Sequence, residues 1–206
     1  MTDINEKLKE IKRSFRLRMN GPASQSMREK GLDYKVNWGV PLMELKNMAK
    51  ELGKDYDLAV ALWKEDIREC KILATLVMPV EQMPEEVADI WMDQTRSQEM
   101  AELQAFNLYQ YADFGPKVAY RWIAGNDILR QICGYDILAR LFMRGQQPNE
   151  RGMNEFLDQA ITALKDENAG VRHAAMNALQ RFAELGVVYQ RMTAGALRSA
   201  GMENFL

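Results

Sequence analysis

The sequence predicts an all-α protein, on three observations. Apolar residues recur at helical spacing nearly everywhere, proline and glycine interrupt that pattern at the length of a short helix, and the gaps between helices are only a few residues long. Alternation with period two never persists, so strands have no place to form. The spacing predicts helices at 3–19, 23–30, 41–52, 56–64, 66–78, 84–94, 97–111, 116–124, 126–144, 150–165, 168–185 and 187–199.

Each element carries its own signal. The first helix sets Ile4, Leu8, Ile11 and Phe15 opposite Lys9, Lys12, Arg13 and Arg16, which reads as a capping helix with a solvated face or as a phosphate-binding one. In the middle of the chain the apolar sides are Leu58, Ala59, Leu62 and Trp63, then Ile72, Leu73, Leu76 and Val77, then Ile128, Leu129, Ile132 and Cys133. Pro41, Pro84 and Pro116 suit first helical turns, while Gly53, Gly125, Gly145 and Gly186 suit helix ends. Short connections make consecutive helices antiparallel.

The C-terminal run FLDQAITALKDENAGVRHAAMNALQRFAELG places an amphipathic helix, an acidic turn and an Ala-rich helix in order. Ala174, Ala175 and Ala178 permit close approach, and Val171, Leu179 and Phe182 supply a buried face. This is the grammar of a HEAT-type repeat. About six such pairs, at a period near 35–40 residues, fill the chain as one solenoid domain over 1–206.

Net charge is −2, yet residues 1–35 hold nine Lys/Arg against five Asp/Glu, which leaves +4 there and −6 elsewhere. A mildly acidic total argues against bulk polyanion binding, although local basic patches decide phosphate contacts. No stretch approaches the ~20 apolar residues of a membrane span. The N-terminus alternates charged and apolar residues where a secretion signal carries an apolar block, so a cytoplasmic protein is expected. Cys70 and Cys133 sit in helical patterns and are read as buried thiols. His173 is the sole histidine, which leaves no His-rich metal site, and no phosphate-cradling glycine loop occurs, so neither metal nor cofactor is expected.

The segment GVPLMELKNMAKELGKDYDLAVALWKEDIRECKILA, Gly39 to Ala74, resembles the bacterial DNA alkylation repair glycosylases built from HEAT-like repeats. The resemblance is carried by Gly39-Val40-Pro41, Ala49-Lys50, Leu62-Trp63 and Arg68-Glu69 followed by Ile72-Leu73-Ala74, and it continues through VRHAAMNALQRF, spanning about residues 28 to 185. It implies a concave basic surface that cups duplex DNA. In active members it implies hydrolysis of the glycosidic bond of cationic N3- or N7-alkylated purines, with a carboxylate stabilising an oxocarbenium-like sugar and with aromatic faces and an arginine holding the strand.

Carried over residue by residue, the family pattern is met in part. Where the family has a Trp and an Asp one turn apart, this chain reads SQEMAELQAFNLYQY, and Glu99 and Glu102, three residues apart on one helical side, are the candidate carboxylates. Their plainer reading is a solvated acidic face. The family's arginine matches Arg130 of NDILRQICGY, off the apolar stripe, with an ordinary exposed arginine or an ion pair to Asp127 as the alternative. The family's second Trp falls at Asn177. Trp38, Trp63 and Trp91 read as packing residues. Trp122, with Lys117 and Arg121 nearby, is a candidate groove residue, and Arg172 at a helix start joins the DNA-contact candidates.

Two functions follow as expectations: DNA binding with an incomplete set of catalytic groups for excising cationic alkylpurines, or a non-enzymatic scaffold that binds a protein partner on its concave face. The second is favoured by the acidic balance, the fourteen methionines and the missing Trp and Asp.

Overall fold

The computed structural model describes residues 3–202 and confirms the helical reading: among them are twelve α-helices, no named strand and two 3₁₀ turns. The helices are α1 (Ile4–Leu17), α2 (Gly21–Glu29), α3 (Leu42–Leu52), α4 (Tyr56–Lys64), α5 (Arg68–Val77), α6 (Glu85–Asp93), α7 (Gln98–Asn107), α8 (Gly115–Ile123), α9 (Ile128–Met143), α10 (Glu150–Ala163), α11 (Ala169–Ala183) and α12 (Val187–Ser199). The 3₁₀ turns are Val80–Gln82 and Tyr109–Tyr111. Among these residues no helix is long and apolar enough to cross a membrane.

Side-chain caps explain many of the starts. Asp3, Asn20, Asp55, Asp127, Asn149 and Asn168 each accept a backbone N–H from the first turn of the helix that follows, satisfying donors that lack intrahelical partners. Pro41 and Pro84 stand one place further out than expected, as the residues preceding α3 and α6, while Pro116 lies in the first turn of α8. Gly53 and Gly145 end α3 and α9 at φ 73° and 76°, where a Cβ would be strained.

Two elements differ from the sequence expectation for identifiable reasons. The helix expected at 66–78 begins at Arg68 because Val36 and Ile67 form an isolated parallel bridge. There Val36 N–H donates to the Asp66 carbonyl and Arg68 N–H to the Val36 carbonyl, holding the preceding backbone extended. The helix expected at 97–111 stops at Asn107, and a 3₁₀ turn follows. Buried Tyr109 draws that turn inward by donating to Gln104 Oε1 at 2.7 Å.

The chain divides into two compact units, one ending at Leu103 and one beginning at Gln104. In the first, α5 is the central helix, with α4 and α3 packed on it and α1 packed on α4. In the second, α9 lies between α8 and α11, and α11 also packs on α10 and α12. The second unit's core includes Phe142, Phe156 and Phe182, whose ring centroids are 5.0 to 5.4 Å apart, within the range favourable for aromatic pairs.

Candidate nucleic-acid interface

The motifs Gly39-Val40-Pro41 and Arg68-Glu69 meet in the first unit. Glu69 is fully buried, and its carboxylate accepts the backbone N–H groups of Trp38 at 3.3 Å and Val40 at 3.2 Å. Arg68, also buried, donates to the Val40 carbonyl, to Glu69 and through two nitrogens to Glu99. Burial works to lower the Arg68 pKa, but the hydrogen bond and charge of Glu99, then those of Glu69, outweigh it and raise the pKa. The Leu62-Trp63 motif has a comparable role. The Trp63 ring stacks on Trp91 at 4.2 Å, Lys71 Nζ lies 4.3 Å from its centroid, and its Nε1 donates to Gln94.

This arrangement defines what the candidate carboxylates can do. Glu99 is the two-point partner of Arg68, and its charge is compensated by that guanidinium. Glu102, half-buried on α7, accepts from Gln98 Nε2 at 2.7 Å.

The remaining candidates lie in the second unit. The structure brings Arg130 and Trp122 together: Arg130 Cζ lies 5.5 Å from the indole centroid, within cation–π range. Trp122 is 2% exposed, so α8 presents this ring to α9 and Arg130 covers it. Asp127 uses its carboxylate to cap α9 through the Arg130 backbone N–H at 2.8 Å. Lys117 and Arg121, one turn apart on α8, are both exposed. Arg172 donates through one nitrogen to the carbonyls of Asp166 and Glu167, closing the turn between α10 and α11. His173 beside it is exposed.

A family model described as DNA alkylation repair enzyme matches residues 6–185. The chain belongs to that family. A solved structure from "a new family of proteins related to the HEAT-like repeat DNA glycosylases with affinity for branched DNA structures" covers 93% of this chain and 82% of its own, at TM-score 0.82 and 17% identity. That likeness establishes the HEAT-like helical fold. No curated protein matches the chain.

Sequence reasoning missed two arginines of this family member. Arg140 Cζ lies 4.3 Å from the Phe106 ring centroid, and Arg144 Cζ lies 5.1 Å from that of Tyr111. Arg130, Arg140 and Arg144 therefore each lie over an aromatic ring. At 100° per residue they fall within a narrow arc of α9 and its C-cap, about 21 Å long at 1.5 Å per residue. The spacing of the arginines was visible in the sequence. Their ring partners come from other elements and were not.

Proposed function

We propose that this member of the DNA alkylation repair family binds duplex DNA through α8 and α9, with Lys117, Arg121 and Arg130 as phosphate contacts. The observation that carries the reading is the position of Arg130 over Trp122. A guanidinium held against an aromatic ring loses little further conformational freedom on meeting a phosphate, and its planar fork matches phosphate oxygens. Nine of the eleven basic residues after Leu103 are arginines, which favours shaped phosphate contacts over diffuse attraction. Arg172 holds two carbonyls through one nitrogen, and its other two nitrogens carry further donors that could meet a phosphate.

For excision of cationic alkylpurines, Glu102 is the carboxylate we assign, because Glu99 has its charge taken by Arg68. Incubation with duplex DNA carrying N3-methyladenine or N7-methylguanine tests this part. Base release that falls by at least about 100-fold in Glu102→Gln supports it, by analogy with the loss of a single transition-state-stabilising group. No release by the wild type, or equal release by Glu102→Gln, retires it and leaves the binding reading standing.

A further inference from the structure

Within one 3₁₀ turn, two tyrosines have opposite fates. Tyr109 is fully buried and hydrogen-bonded to Gln104, whereas Tyr111 is 58% exposed. The turn between them is tightly held. A Cβ at Gly115 would lie 2.4 Å from the Tyr109 carbonyl oxygen, so α8 starts hard against the backbone of the turn. Gln110 donates through Nε2 to the Phe106 carbonyl and accepts, through its side chain and its carbonyl, two hydrogen bonds from Arg144. Arg144 is itself fixed as the residue capping the end of α9, where Gly145 takes φ 76° and Gln146 N–H returns to the Leu141 carbonyl. The outcome is an exposed phenol ring with a rigid guanidinium 5.1 Å from its centroid. One turn back along α9, Arg140 lies over Phe106.

Of the three rings that carry these arginines, Trp122 is buried and Phe106 half-buried, so Tyr111 is the most accessible. An intact duplex keeps its base faces stacked on one another and meets such a surface with phosphates alone. An unpaired base offers a free π-face. We infer that Tyr111, braced by Arg144 and Gln110, is a stacking platform for an unpaired base in DNA, at a gap, a flap or a branch. The Arg144 guanidinium, held over the ring, offers its charge to the adjoining phosphate. This inference rests on the DNA-binding reading and deepens it, since it specifies which DNA form is preferred. Nothing in the fold requires Tyr111 itself, because the buried anchor of the turn is Tyr109.

The test compares wild type, Tyr111→Leu and Tyr111→Phe on two DNAs at low salt: a blunt duplex, and the same duplex with a short gap carrying 2-aminopurine as the unpaired base. The inference predicts quenching of 2-aminopurine by wild type and Tyr111→Phe but not by Tyr111→Leu, and about 10-fold weaker binding of the gapped DNA by Tyr111→Leu, the size of one base–aromatic stack. Affinity for blunt duplex should stay unchanged, as should the thermal melt of the variant. Equal affinity and equal quenching across the three proteins would overturn the platform while leaving duplex binding intact. Failure of the wild type to bind either DNA would overturn both readings.

Discussion

Glu69 shows what a single residue contributes to this fold. Its carboxylate replaces water for the backbone N–H groups of Trp38 and Val40 and lies against Arg68, in a place that excludes solvent. Glu69→Ala would leave the buried Val40 donor, the half-buried Trp38 donor and a buried guanidinium short of partners. The expected loss is about 3–5 kcal/mol, as for breaking a buried ion pair, read as a shift in the urea midpoint. Residues of this kind explain a limit of the sequence reading. Gly39-Val40-Pro41 and Arg68-Glu69 could be recognised as family motifs, but the hydrogen bonds that join them cross 29 residues of chain and have no local pattern. The same holds for Glu99, which looks like a solvated acid until Arg68 is seen reaching it. Cys70 and Cys133 were legible as buried thiols, and burial pushes both pKa values up, leaving them poor nucleophiles.

At the scale of an element, caps and close approaches determine where helices start and how tightly they pack. Asp55 caps α4 by accepting the Leu58 N–H and pairs with Lys7 of α1 at 3.1 Å. The backbone hydrogen bond, then the contact with Lys7, outweighs partial desolvation and depresses the Asp55 pKa. A folded pKa below the unfolded one means that this stabilisation is fully present above about pH 4 and is lost as pH falls through the folded value. Asp55→Ala should therefore cost about 1 kcal/mol at neutral pH, a difference that shrinks in acid when wild type and variant are melted side by side from pH 7 to pH 3. Two helical glycines make opposite predictions. A Cβ at Gly134 of α9 would meet Ile123 Cγ2 at 2.8 Å and the Ala119 carbonyl oxygen at 2.9 Å on α8, so Gly134→Ala should destabilise by about 1–3 kcal/mol. Gly195 of α12 has nothing within 4 Å of such an atom, and Gly195→Ala should stabilise by about 0.5–1 kcal/mol. Helix positions were readable because apolar period and cap residues are local. The break after Asn107 was not, because it depends on Tyr109 finding Gln104 in the core.

At the scale of the whole molecule, the net charge of −2 says little about DNA affinity, because it averages clusters of opposite sign. What matters is how many cations stand together on one face and how firmly each is held. Lys117, Arg121 and Arg130 were legible as candidates from the family resemblance and from their neighbours in the chain. Arg140 and Arg144 were not, since their significance lies in Phe106, Gln110 and Tyr111. The most direct measurement of the central claim is duplex-DNA affinity against salt for wild type and for the combined Lys117→Ala, Arg121→Ala and Arg130→Ala variant. If the three side chains neutralise phosphates, the wild-type plot of log affinity against log salt slopes downward, and the variant's slope is shallower by about 0.9 for each phosphate left unneutralised, near 2.7 in total. An identical slope in a variant that melts like wild type, or no wild-type binding at low salt, would contradict it.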